Sequence, residues 1–319
     1  MQNNSNVIAR VQNVVKSFGD VVAVSDASFT IERGAIMGFL GPNGAGKTTS
    51  IRMLLGLLKP ESGSVTLFDQ NPFDNHKIKY KLGYIPEEYA FPKWMKAEDY
   101  LINLARFNLP RELAIKRARE VLEEMQLSEV AQKRIVQFSK GMKQRMKIGQ
   151  ALVHNPSLII GDEPFNGLDP VLRKKMFEII REYQESSDTT FFISSHILFE
   201  VENLANKIIL LYKGRTIAQG SAKRIREMIA DQPHEIMITS ENVKPLANIL
   251  INSSDENTIS GLKFGRNFND EEQLIISTLN TRAFYSLLTD IVVEHEIPLN
   301  ELRATDEGLE NLFKSLTVG

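Results

Sequence analysis

Cysteine is absent from the 319 residues, which excludes disulfides, thiolate metal sites and a cysteine nucleophile, and suits a reducing compartment. Also missing is any run of the roughly 18 to 20 apolar residues that a membrane-crossing helix needs. The richest stretches, around Ile36 to Leu40, Leu158 to Ile160 and Ile208 to Tyr212, are strand-sized. If the chain serves a membrane, another chain is expected to supply the channel. The start, Met1-Gln2-Asn3-Asn4-Ser5-Asn6, has neither the basic residues nor the apolar run of a secretory signal, so export of the chain itself is not expected. Charge of one sign is missing too. The 38 basic and 40 acidic side chains leave a formal net charge of -2, which gives no global attraction to nucleic acid or to an anionic bilayer. No repeat or low-complexity tract occurs.

What is present is an ordinary globular composition, with an apolar fraction of 42% and a length that favours two domains. From Val7 to Ile31, short apolar runs broken at Gly19-Asp20 predict antiparallel strands. Ala35 to Leu40 reads as a buried strand, and Thr48 to Leu58 carries apolar residues at helical spacing. Between about Glu87 and Val153 the pattern is helical, with helices predicted over Glu98 to Phe107, Arg111 to Met125 and Met142 to Val153. Strands and helices then alternate: strands over Leu158 to Ile160, Thr190 to Ser194 and Ile208 to Tyr212, helices over Val171 to Tyr183 and Leu198 to Ala205. That alternation predicts a mostly parallel sheet with helices on its faces.

After a basic helix over Ala222 to Ile229, Asp231-Gln232-Pro233 reads as a boundary, giving domains 1–231 and 232–319. The second is expected to be a small α+β domain approximating the split βαββαβ plan. Its strands are predicted at Glu235 to Thr239, Ile259 to Phe264, Gln273 to Leu279 and near Leu299 to Ala304. Its helices are predicted at Val243 to Ile251, Arg282 to Val293 and Glu307 to Leu316.

Between the predicted strand at Ala35 and the helix at Thr48 lies Gly41-Pro42-Asn43-Gly44-Ala45-Gly46-Lys47-Thr48-Thr49. This satisfies G-x-x-x-x-G-K-[ST] in the strand, loop, helix context that gives the pattern its mechanism. Glycines let backbone N–H groups turn inward around phosphate oxygens, and the helix N-terminus adds partial positive charge. Lys47 is expected to reach the β- and γ-phosphates and the Thr48 hydroxyl to hold magnesium. The strand Leu158 to Ile160 runs through Gly161 into Asp162-Glu163-Pro164. Alone, those acids would close a strand in solvent; beside a phosphate loop, Asp162 is assigned to magnesium and Glu163 to polarising the attacking water.

Together these residues resemble the ATP-binding-cassette (ABC) family over about Val7 to Gln219, and Phe138-Ser139-Lys140-Gly141-Met142 is similar to its signature segment. The segment departs from the commonest form, Leu-Ser-Gly-Gly-Gln, at Phe138, Lys140 and Met142. The resemblance implies a P-loop NTPase of ABC type, an α/β fold with a mostly parallel sheet core, an antiparallel β subdomain and a helical subdomain at about 87–153. It further implies that Ser139 and Gly141 of one copy close over the γ-phosphate held by a second copy, in a homodimer with two shared ATP sites. In Asn166-Gly167-Leu168-Asp169-Pro170 it implies that Asp169 communicates across the dimer, and in Ser194-Ser195-His196 that His196 bonds the γ-phosphate. Phe18 is implied to stack on adenine. Gly83-Tyr84-Ile85-Pro86-Glu87-Glu88 resembles the loop linking magnesium to the helical subdomain, with Glu87 in place of the usual glutamine. ATP and magnesium are the implied cofactors.

The function implied is the ATP-binding and ATP-hydrolysing subunit of a bacterial export-type transporter. It would work at the inner face of the cell membrane with a separate integral membrane permease, and with no nucleic-acid partner. The alternative is a soluble ABC ATPase acting on nucleic acid or ribosomes, whose relatives usually carry two cassettes or a long coiled-coil insertion; this chain has one cassette and no long heptad run. A GTP switch is disfavoured because Asn206-Lys207 is followed by Ile208-Ile209, not by the rest of an Asn-Lys-x-Asp motif.

Overall fold

A computed structural model describes residues 6–88, 91–221, 223–225, 234–240, 243–255, 258–266 and 272–304. The backbone divides into two compact units, Met1–Ala222 and Lys223–Gly319. The boundary expected at Asp231 to Pro233, the far part of the helix expected over Ala222 to Ile229 and the helix expected over Glu307 to Leu316 lie outside the described residues.

The first unit is built on a nine-stranded sheet. Its strands are β1 (Val7–Phe18), β2 (Val21–Glu32), β3 (Ile36–Leu40), β4 (Ser62–Leu67), β5 (Leu82–Ile85), β6 (Leu158–Gly161), β7 (Thr190–Ser195), β8 (Lys207–Tyr212) and β9 (Arg215–Ser221). They lie in the order β4-β1-β2-β9-β8-β3-β7-β6-β5. The opening strands β1, β2 and β4 pair antiparallel, as the broken apolar runs predict. Strands β8, β3, β7, β6 and β5 pair parallel. All of β3, β6 and β7 are buried, which is why they read as continuous apolar runs rather than alternating ones.

Two strands depart from expectation. β5 is only four residues long, one of them Gly83, too little to register as a pattern. β9 is a weakly apolar strand, nowhere fully buried, returned from β8 by Lys213 and Gly214, whose φ angles of 47° and 75° are those of a tight two-residue hairpin turn.

Among the described residues this unit has six α-helices: α1 (Lys47–Leu54), α2 (Ala97–Ala105), α3 (Arg111–Glu124), α4 (Lys140–Leu152), α5 (Pro170–Ser186) and α6 (Leu198–Leu204). Ser139 caps α4 by accepting from the Met142 N–H at 3.2 Å. Asp169 caps α5 by accepting from Leu172 N–H at 2.9 Å, with Pro170 in the first turn where its missing N–H costs nothing. Helices α2 to α4 form the expected helical segment around buried Leu101, Ala118, Val121 and Ile148.

The sheet core centres on Phe29, Phe39 and Phe192, with ring centroids 5.0 to 5.9 Å apart. Each such buried ring contributes about 1.5–3 kcal/mol relative to exposure. Helix α6 lies so close to β3 that a Cβ on Gly38 would stand 2.0 Å from Val201 Cγ1. That contact fixes the two strand ends on either side of α6.

The second unit is a four-stranded sheet of β10 (His234–Thr239), β11 (Gly261–Arg266), β12 (Glu272–Thr278) and β13 (Glu301–Ala304), in the order β11-β12-β10-β13 with antiparallel pairings throughout. Helices α7 (Val243–Ser253) and α8 (Thr281–Glu294) cover one face. There Ile236, Ile238, Leu274 and Ile276 meet Leu246, Leu250, Phe284 and Leu288. This is the split β-α-β arrangement that the alternating pattern predicts.

Candidate functional site

Parallel strands place their C-terminal ends along one edge, the usual seat of ligands in open α/β sheets. Register shows this directly: Leu40 of β3 pairs with Ser195 of β7, and Ile85 of β5 with Gly161 of β6. The loop at Gly41, the acids at Asp162 and Glu163, His196 and Glu87 all follow those ends. The loop from Asn43 to Thr49, Glu163, His196 and Glu87 border a cavity of about 520 Å³ there.

Its floor is the phosphate loop: Asn43, Gly44, Gly46, Lys47, Thr48 and Thr49 all line it. Gly46, with φ at 101°, starts α1, and a Cβ there would stand 2.5 Å from the Ala23 carbonyl oxygen, so the turn needs glycine. The first-turn N–H groups of α1 have no carbonyl one turn back to bond, which makes the helix start an anion seat. Gly41, Pro42 and Ala45 hold the loop from behind. Pro42 carbonyl accepts the Ala45 N–H at 3.1 Å, and the carbonyls of Gly41 and Pro42 accept from Lys47 Nζ at 2.7 and 3.1 Å.

Lys47 also reaches Glu163 Oε1 at 3.1 Å, and the other carboxylate oxygen, Oε2, lies 2.7 Å from His196 Nδ1. Glu163 adopts φ 43°, a left-handed conformation that costs a non-glycine residue about 1–3 kcal/mol and recurs at functional sites. Behind it, the Ser194 hydroxyl accepts the Glu163 N–H at 2.9 Å and donates to Asp162 Oδ1 at 2.8 Å. Asp162 is 2% exposed, so it stands beneath the cavity rather than on its wall.

On the far wall, Asn166 donates to Glu87 Oε1 at 3.2 Å, and buried Lys147 of α4 donates to the Glu87 carbonyl at 2.8 Å. Burial lowers the Lys147 pKa, opposed by the charge of Glu87. Burial raises that of Tyr84, and the carboxylates of Asp162 and Glu87 push it further up. The Gln144 side chain donates to the Pro164 carbonyl, tying the helix that begins at Ser139 to the turn after Glu163.

Four lining residues were not singled out from sequence: Val21, Val22, Ala23 and Asn166. Two exposed valines beside the Gly19-Asp20 turn were the available signal, since large apolar side chains are seldom left bare in pairs without use. Phe18 is half exposed one turn away with Lys16 Nζ 5.7 Å above its ring, and it is not among the lining residues. Nor are Ser139, Gly141 and Asp169, which belong to the N-terminal ends of α4 and α5.

For a divalent ion, the pocket presents the Thr48 hydroxyl and the Glu87 carboxylate, with Asp162 behind. These are hard oxygen donors. No cluster of three or more carboxylate, histidine or cysteine ligands exists among the described residues. That donor set fits magnesium, which keeps several waters and takes one or two side chains plus substrate phosphates rather than an all-protein cage.

Residues 24–166 match the family described as ABC transporter. The chain is 32% identical to the linearmycin resistance ATP-binding protein LnrL of Bacillus subtilis over 313 residues, 97% of each chain. It belongs to the ABC transporter family. It is also 41% identical to the bacitracin transport ATP-binding protein BcrA of Bacillus licheniformis, over 66% of this chain and 69% of that one. Among solved structures, the ADP form of MJ1267, an ATP-binding cassette of an ABC transporter, superposes with a TM-score of 0.64 at 26% identity over 70% of this chain and 95% of that one. This ABC protein is therefore an ATP-binding subunit and an ATPase, with the P-loop fold of such cassettes.

Proposed function

We propose that this ABC subunit hydrolyses ATP at a site shared by two copies of the chain, and that a separate membrane permease reads the resulting opening and closing. The observation that carries the reading is the position of Glu163 between Lys47 and His196 at the edge of the phosphate loop. Lys47 and the helix start bind the β- and γ-phosphates. Glu163 polarises the attacking water, and His196 holds the γ-phosphate in line. Magnesium, when bound, offsets phosphate charge; Thr48 and Asp162 would hold it, with Glu87 accepting from one of its waters. Phe18, flanked by Val21 and Val22, offers the adenine a stacking face.

Ser139 and Gly141 lie outside the lining of their own chain's pocket, which supports their acting on the pocket of a second copy. Ser139 caps the helix start there, leaving further N–H groups for an anion. Asp169, at the start of α5, would carry the state of one site to the other. Export is supported by the likeness to BcrA, a bacitracin transport protein, and LnrL, a linearmycin resistance protein; the cargo of this chain is a matter for its permease.

No described helix is long and apolar enough to cross a membrane, so in this reading the chain attaches peripherally at the inner face. A groove of about 680 Å³ in the helical segment, bordered by Trp94, Asp99, Arg106, Arg111 and Arg134, is the surface we assign to the permease. Trp94 there is 71% exposed. The test is co-purification from native membranes: an integral membrane protein should accompany the tagged chain and be lost on Trp94→Ala. Co-purification with ribosomes or DNA instead would contradict the assignment.

A further inference from the structure

Next to His196 in the chain lies an ion pair, buried on its carboxylate side and part-exposed on its guanidinium side, that the chemistry above does not use. Glu200 of α6 is 4% exposed, and its Oε1 lies 3.1 Å from Arg173 Nε of α5. Its other oxygen, Oε2, accepts the Ser195 hydroxyl at 2.6 Å, and Ser195 Oγ accepts the Ile197 N–H at 2.9 Å. The carboxylate thus fastens the backbone on both sides of His196. Arg173 Nη2 donates to the Leu168 carbonyl at 3.2 Å, so the same pair also holds the residue before Asp169. Charge is therefore continuous from the His196 loop to the Asp169 loop.

Packing alone does not call for this pair. Apolar residues of similar volume often serve a buried position as well as an ion pair does, or better, whereas removing a single partner leaves an orphan charge. Arg173 Nε and Glu200 Oε1 are close but out of hydrogen-bonding line, and neither atom has a hydrogen bond among the described residues. The contact between these two atoms is electrostatic.

We propose that Glu200 and Arg173 are positioning residues that tie His196 to the loop of Asp169, so that contact with the γ-phosphate and contact with the second copy are made together. The proposal rests on the roles assigned above to His196 and Asp169. ATP binding to a single copy needs neither residue; turnover needs both.

The deciding variant is the neutral double Glu200→Leu with Arg173→Met, which leaves no orphan charge. It is measured for thermal midpoint, affinity for a fluorescent ATP analogue, KM and kcat. The expected result is a folded protein with analogue affinity and KM within about threefold of wild type and kcat lowered about tenfold or more. Glu200→Gln in the Arg173→Met background keeps an acceptor for Ser195 and is expected to recover part of that loss. Wild-type kcat in the double variant overturns the proposal. So does loss of its fold, or a parallel fall of kcat, analogue affinity and thermal midpoint, since each assigns the pair to stability. His196→Ala and Asp169→Ala are run alongside. If these turn over normally, the site reading fails and the proposal with it; if they are impaired while the double variant is not, only the proposal fails.

Discussion

The Glu163 carboxylate bridges Lys47 Nζ, 3.1 Å from Oε1, and His196 Nδ1, 2.7 Å from Oε2. One acid thus engages both groups that are assigned to the γ-phosphate. In the proposed reading, an arriving phosphate would compete for the same lysine and histidine, and displacing the carboxylate from them would free it to face water. Binding and activation of the base are then one event.

Lys47→Ala removes the cation at the centre of that exchange. A charge-assisted hydrogen bond is worth about 1.5–3 kcal/mol, so ATP affinity should fall about 10- to 150-fold. Titration with a fluorescent ATP analogue checks this. Unchanged affinity would remove Lys47 from the phosphate site.

His196→Ala deletes a group that acts on charge developing at the γ-phosphate. Its expected effect is a fall in kcat of about 100-fold with little change in KM, the pattern of an interaction made mainly in the transition state. Steady-state kinetics separate the two constants. A raised KM with normal kcat would assign His196 to binding alone.

Away from the site, His154 places Nε2 2.7 Å from the Leu82 carbonyl, and burial lowers its pKa below the ordinary 6.5, with the hydrogen bond opposing. The unfolded chain takes up this proton at higher pH than the folded one. The stabilisation is full above the unfolded pKa and is lost as pH falls through it toward the folded value. Thermal midpoints should therefore drop as pH falls below the ordinary histidine value of about 6.5, and less so in His154→Gln, which keeps a donor without titrating. Equal slopes in the two proteins would exclude His154 as a source.

Much of the fold was legible because buried parallel strands write themselves as apolar runs: Ile36 to Leu40 and Leu158 to Ile160 carry no other meaning at that length. β9 was not, since this half-exposed strand between β2 and β8 has neither an apolar run nor a clean alternation. Within the site, residues of one contiguous loop could be read together, from Asn43 to Thr49. Val21 and Val22 could not, because they reach the pocket only by the folding of distant segments side by side, whereas Asn166 follows Glu163 by one turn in a segment where only Asp169 is given a role. Phe18 is the ring that the resemblance implies, while the cavity wall next to it is made by the valines across the turn. Glu200 and Arg173 lie on helices whose charges ordinarily face water, and only burial reveals their contact.

In the proposed reading each ATP pocket is completed by a second copy of the chain. Glu163→Gln removes the proposed base while keeping the shape, so ATP with magnesium should be held without being turned over. Light scattering on that variant, with and without ATP, tests the claim most directly. The account predicts monomer mass without nucleotide and twice that mass with ATP. A protein that remains monomeric with ATP bound, or that hydrolyses ATP at the wild-type rate, would contradict it.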